Sequence, residues 1–273
     1  MNHVLRALVD TRQQIQKARV QFGSRVFALE KGSDADSLTG QQLMLRGWRD
    51  TFLALEQALD NDIADIVEEE PIYPSLSAVK GIAQGLAAKL VAMIDIERAE
   101  TASALWQYAG YGQSRYWIGA DGSPVAMKEG WRWMKKKGTE EKERTWVVAD
   151  PEPGWTLEWR TDRPLAGWCL PYNKRLKTTC YLVASSFLKC GSPYRNIYDE
   201  ARQYYAANRP DWSKLHQHRA AMRKCIKIFL CHLWLRWRMI EGLPISEPYV
   251  HNILGHAKLY TPEEFGWPSV GAG

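Results

Sequence analysis

The chain has 273 residues, a net charge of +5 and 45% hydrophobic residues, so it can bury one large core or two modest ones without disulfides or a structural metal. Its five cysteines are an odd number without Cys-x-x-Cys spacing, a pattern that predicts reduced thiols in the cytoplasm. The most apolar stretch, Ile226 to Leu235, is too short to span a bilayer, so no membrane partner is predicted.

Two segments with heptad-like spacing open the chain. Apolar residues recur at helical spacing from Val4 to Leu29, and again from Leu45 to Ile66. A polar linker separates the two segments, and Thr39 with Gln42 has the form of a capping box at the second helix. We therefore expect residues 1–70 to form an antiparallel helical hairpin, a coiled coil that acts as a spacer or as the arm of a homodimer or higher oligomer.

A second domain is predicted over residues 71–273, and it begins with a glycine turn between two short apolar helices. The segment Leu76 to Val91 resembles a helix-hairpin-helix, in which backbone N–H groups of the turn bind a DNA phosphate. Gly81 and Ile82 fit this motif, and Lys80 and Lys89 add positive charge. Ala83 stands where a second glycine is expected, so an ordinary packing element is an equal alternative.

A tryptophan-rich insert, residues 115–168, interrupts the helical pattern. Alternating aromatic and polar residues predict a small β-structure, with strands near 115–118, 145–148 and 156–160. The charged stretch 128–144 between them is predicted as a solvated loop or short helix. Tryptophans of a small sheet usually form its core, and the alternative is a surface on which single-stranded bases stack.

The last third is predicted to be helical and carries two groups of cations. One group opens a helix and the other forms a stripe at steps of four on the longest helix, and together they could follow a nucleic-acid backbone or simply be solvated. These residues are Lys174, Arg175, Lys177, Arg219, Arg223 and Lys227. The chain shows no zinc-ligand spacing and no nucleotide-binding glycine loop, so no metal site or cofactor is predicted.

Several of these segments follow the order found in one family. Residues 12–110 and 170–242 resemble transposases of the insertion-sequence one-ten group, which includes the Piv DNA invertase. The likeness rests on the helical hairpin, Val79–Ile82, Leu86–Leu90, Ala102–Gly110, Asn173–Leu176, Tyr198 and Arg223–Ile226. The tryptophan-rich insert is foreign to this family.

The resemblance implies recombination by a nucleophilic serine. Family members carry an N-terminal RNase-H-like domain with acidic metal ligands, and this chain begins directly in the helical linker. A divalent metal would therefore require a separate RNase-H-like partner protein. Ser114, which follows the Tyr-Ala-Gly element and precedes Arg115, is the first candidate for the serine, and Ser123 is the second.

Three hypotheses follow from the sequence. The first is a transposase-like, DNA-binding protein of a mobile element, which takes part in transposition or site-specific recombination and handles DNA or a junction of DNA with a structured guide RNA. The second is a non-catalytic nucleic-acid-binding or regulatory protein derived from such a transposase. The third is a helical scaffold whose cations are only solvated.

Overall fold

Helices form most of the molecule and small antiparallel sheets interrupt them, which confirms the predicted mainly α class. The computed structural model describes residues 3–31, 39–245 and 260–269, and the polar linker predicted between the first two helices falls almost entirely outside them. The helices are α1 (His3–Glu30), α2 (Gly40–Glu68), α3 (Tyr73–Ala78), α4 (Gln84–Met93), α5 (Ala102–Tyr108), α6 (Lys174–Cys190), α7 (Tyr194–Asn208) and α8 (Lys214–Ile240). The strands are β1 (Gln113–Ile118), β2 (Pro124–Met127), β3 (Glu129–Lys135), β4 (Lys142–Val148) and β5 (Thr156–Thr161). Among the described helices, none combines the length and the apolar character needed to cross a membrane.

The chain divides into two units, residues 1–78 with 82–95 and residues 79–81 with 96–273. In the first unit α1 and α2 run antiparallel. Arg19 of α1 donates to the buried carboxylate of Glu56 on α2 at 2.6 Å. The capping box of Thr39 is present at the start of α2. Because α4 packs against both long helices, the first unit ends near residue 95, later than the boundary predicted at residue 70.

The helical core of the second unit surrounds α8. This helix buries apolar side chains over most of its circumference, and the indole of Trp234 donates to the carbonyl of Ala99 at 2.6 Å. His232 is buried on the same helix, where its Nδ1 lies 2.6 Å from the hydroxyl of Tyr194 and its Nε2 lies 3.1 Å from the carbonyl of Tyr260. The tyrosine hydroxyl and the carbonyl suit a neutral imidazole with its proton on Nε2.

The insert between α5 and α6 is more extensive than the sequence predicts. Strands β2, β1 and β5 form an antiparallel sheet, while β3 and β4 form a separate hairpin. The prediction of a loop or short helix over residues 128–144 is wrong, because most of this stretch is the hairpin. Its strands pair from Glu129 opposite Val148 to Lys135 opposite Lys142, and the intervening turn contains Gly138 at a φ of +83°. The charges that suggested a solvated loop lie partly on exposed strand residues and partly in the exposed turn 136–141 between the two strands.

Candidate nucleic-acid interface

The tryptophans of the insert fall into two groups. Trp117, Trp155 and Trp168 belong to its core, packed with or against the buried Tyr116 and Ile118. The other four lie at the surface, with exposed fractions of 44% for Trp131, 49% for Trp133, 52% for Trp146 and 64% for Trp159. The prediction of a tryptophan core is therefore confirmed for the first group only, while base stacking on the exposed second group stays a prediction.

The β3–β4 hairpin places aromatic rings and cations on one face. Trp131 stands directly opposite Trp146, and their ring centroids are 5.7 Å apart in an edge-to-face arrangement. Trp133 follows on the same face because side chains alternate along a strand. The guanidinium of Arg144, opposite Trp133, lies 5.1 Å from the ring centroid of Trp131. This face combines stacking surface with positive charge.

A groove of about 400 Å³ opens beside these rings, and we call it the tryptophan groove. Its lining includes Trp131, Trp146 and Trp159. Arg115 also lines it and lies 5.7 Å from the ring centroid of Trp159, its cross-strand neighbour. The remaining lining residues are Gln107, Gln113, Ser114, Met127, Glu129, Gly130, Cys169, Leu170 and Pro171. The groove thus offers flat apolar walls with amide and charged groups at their edges.

A second groove of the same unit lies near the start of α8, and we call it the α8 groove. The ring of Trp212 stacks on His216 with centroids 4.0 Å apart. Arg209 lies 5.5 Å from the Trp212 ring, and the exposed Arg219 lines the groove one turn further along α8. Gln113 lines both grooves, so the two are adjacent.

Arg223, the middle residue of the predicted stripe, is engaged inside the protein. Its guanidinium donates to the hydroxyl of Thr161 at 2.6 Å and to the carbonyls of Tyr111 and Gly112 at 2.8 and 2.9 Å. Burial lowers the pKa of Arg223, and the nearby Asp162 opposes that shift. Arg223 also lines the α8 groove, but its guanidinium is committed to the loop after α5 and to the end of β5.

Lys227 and Lys177 are also half-buried against aromatic rings. The ammonium of Lys227 lies 3.8 Å from the ring centroid of Trp106, and burial followed by the charge of Arg223 lowers its pKa to about 8. Lys177 lies 4.3 Å from the ring of Tyr172, and burial lowers its pKa as well. The three-residue stripe is thus not a continuous exposed row, and Arg219 is its exposed member.

The start of α6 has its own cap. The side chain of Asn173 accepts hydrogen bonds from the backbone N–H groups of Arg175 and Leu176, so these two donors are already satisfied. Lys174 is exposed and Arg175 is half-buried. Lys174 could meet a phosphate through its side chain.

The glycine turn before α4 has a packing role. Gly81 has a φ of +104°, and a Cβ built on it would lie 2.8 Å from the sulfur of Cys190. Its carbonyl accepts a hydrogen bond from Ser186 at 2.7 Å. These contacts favour the packing alternative for Gly81, while Lys80 next to it is exposed. Lys89, in the first unit, is half-buried, and burial lowers its pKa.

Ser114 lies on β1 in the lining of the tryptophan groove, opposite Arg160 of β5. Its hydroxyl oxygen is buried and has no hydrogen-bond partner among the described residues. A nucleophilic serine needs a neighbouring base or metal to take its proton, and no described side chain holds that position. Ser123, the second candidate, is exposed in the turn before β2.

In the described part of the chain, no three His, Cys, Asp or Glu side chains gather into a group that could hold a metal ion. Sequence reasoning missed the stack of Trp212 on His216 and did not separate the exposed tryptophans of the insert from those of its core. The alternation of Trp131 and Trp133 along one strand was the available signal for a single aromatic face.

The chain matches no protein-family model and no curated protein.

Proposed function

We propose that the protein is a transposase-like, DNA-binding protein of a mobile element, which takes part in DNA transposition or site-specific recombination in the cytoplasm. The observation that carries this proposal is the α8 groove, where Arg209 and Arg219 flank the stacked rings of Trp212 and His216. Guanidinium groups bind phosphates, and aromatic rings stack on nucleotides, so this combination suits a nucleic-acid strand. The ordered likeness to transposases supports DNA as the ligand, with a structured guide RNA as a second partner.

In this proposal the remaining elements serve assembly. The α1–α2 pair is a coiled-coil arm through which two copies associate, and α3 with α4 is a helix-hairpin-helix. In this proposal a separate RNase-H-like partner protein supplies metal-dependent strand cleavage. Lys80 and Lys174 are exposed and would extend the contacts to phosphates.

A non-catalytic, regulatory role is the second candidate, and the position of Ser114 favours it. Its hydroxyl has no described group that could accept the proton during attack on a phosphate. Replacing Ser114 with alanine and measuring recombination in cells separates the two candidates. Recombination that persists unchanged would remove Ser114 as the nucleophile, and complete loss with DNA binding intact would establish it.

The binding proposal is tested with Arg219→Ala and a matched control, Lys189→Ala. Both residues are exposed cations on helices of the second unit, but Lys189 lies in the last turn of α6 and does not line the α8 groove. Duplex DNA affinity is measured over a salt series. We expect Arg219→Ala to weaken binding and to reduce the slope of log affinity against log salt by about one, with Lys189→Ala unchanged. Equal effects of the two variants would refute a contact at this groove.

A further inference from the structure

We infer that the tryptophan groove binds the unpaired bases of a single-stranded DNA segment, a role that rests on the proposed DNA-binding function and specifies the form of the DNA. The groove belongs to the insert, the part of the chain that has no counterpart in the transposase resemblance. Its walls are Trp131, Trp146 and Trp159, whose rings are open to a ligand.

Exposing several indole rings to water is unfavourable, so a cluster of exposed tryptophans indicates a binding surface. Four tryptophans of the insert expose 44% or more of their surface, while three others of the same insert are placed in or against its core. A large, flat, partly exposed apolar surface of this kind marks an interaction site. The bases of a DNA duplex are already stacked on one another, whereas an unpaired base has a free face that can stack on an indole ring.

The charges beside the rings favour a nucleic acid as the occupant. Arg115 lies over Trp159 and Arg144 lies over Trp131, so each of these indoles has a guanidinium within 6 Å of its ring. A strand whose bases stack on the rings would place its phosphates near these cations. The amides of Gln107 and Gln113 line the same groove and could hydrogen-bond to base edges. Glu129, also in the lining, would repel a phosphate at its own position.

The two grooves also fit a single path. Gln113 lines both, so DNA held by its phosphates at the α8 groove could continue with an unpaired strand into the tryptophan groove. Recombination requires DNA strands to separate at the exchange site, and an adjacent site for unpaired bases would hold one of them. The insert thereby distinguishes single-stranded DNA from duplex DNA and does not read the base sequence.

The test measures binding of a fluorescent oligothymidylate and of a fluorescent duplex by anisotropy. Trp131→Ala and Trp159→Ala remove rings of the groove, and Trp133→Ala is the matched control because Trp133 is similarly exposed on the same face but does not line the groove. We expect each groove variant to weaken oligothymidylate binding about tenfold, with duplex binding and the control little changed. Trp159→Phe keeps an aromatic ring and should retain most of the affinity, which separates lost stacking from misfolding.

The outcomes are distinguishable from failure of the proposed function. If the wild-type protein binds duplex and the groove variants bind oligothymidylate as tightly as wild type, the base-binding groove is wrong and the DNA-binding proposal stands. If the wild-type protein binds neither probe, both proposals fail, and the exposed rings point to a protein partner. Tighter binding of oligouridylate than of oligothymidylate would overturn the choice of DNA.

Discussion

Arg223 offers the sharpest test of whether a cation of the predicted stripe serves DNA or the fold. Its guanidinium joins the loop after α5 to the end of β5, through the carbonyls of Tyr111 and Gly112 and the hydroxyl of Thr161. Arg223→Ala removes the three hydrogen bonds together and leaves two carbonyl groups without their donor. We therefore expect this substitution to destabilise the second unit.

The size of the effect follows from those contacts. A hydrogen bond from a charged donor contributes about 1.5 to 3 kcal/mol, but the three bonds share one side chain that keeps some contact with solvent, so they do not add fully. We expect Arg223→Ala to lower the free energy of unfolding by about 3 kcal/mol. Arg223→Lys retains the charge but not the forked donors, and should still lose about 2 kcal/mol. Arg219→Ala, at the exposed position one turn earlier, should change it by less than about 0.5 kcal/mol.

Unfolding by guanidinium chloride, followed by tryptophan fluorescence, measures these differences in the free energy of unfolding. Every tryptophan other than Trp48 lies in the second unit, so the signal reports on the unit that Arg223 holds together. DNA affinity is measured in parallel under native conditions. An Arg223→Ala protein that is as stable as wild type but has lost DNA binding would refute the structural role and restore Arg223 to the interface.

Three further predictions concern single positions in the second unit. Gly81→Ala should lower the free energy of unfolding by more than about 1 kcal/mol, because of its positive φ and the clash with Cys190. Gly122→Ala shares the positive φ but has open space around it and should cost less; equal costs would contradict the packing role. Burial lowers the pKa of His232 to about 4, so the unfolded chain binds a proton that the folded protein excludes. Stability should therefore fall as pH drops from about 6.5 towards 4, with a flatter profile for His232→Gln in the same denaturation series. Ser114→Ala should leave the free energy of unfolding unchanged or raise it by up to about 1 kcal/mol, since it removes a buried hydroxyl without a partner; a marked loss in the same assay would mean that the hydroxyl is bonded.

Local patterns were sufficient where one helix face sets the structure. The heptad spacing predicted α1 and α2, and the capping residue Thr39 fixed where α2 begins. The periodicity of the last third likewise predicted α8. Pairing between distant segments was harder, because the β3–β4 hairpin depends on cross-strand partners and its charged residues read locally as a loop.

The candidate site shows the same division. A spacing of four placed Arg219, Arg223 and Lys227 on one face of α8, but spacing does not say what covers that face. In the structure α5 and the loop after it cover Lys227 and Arg223 and leave Arg219 exposed. The same holds for the insert. Trp117 and Trp159 both lie in segments where aromatic and polar residues alternate, but Trp117 packs against the core and Trp159 is exposed.

The ends of the insert meet, and this has a consequence for how the molecule can change. The backbone N–H of Asn173, just before α6, donates to the carbonyl of Tyr108 at the end of α5 at 2.8 Å, so the chain leaves the helical core and returns to it at one place. Residues between two adjacent ends can be exchanged or shortened at little entropic cost and without moving the helices on either side. The insert is therefore a graftable module: its ligand preference can diverge among variants while the helical framework that carries it stays the same.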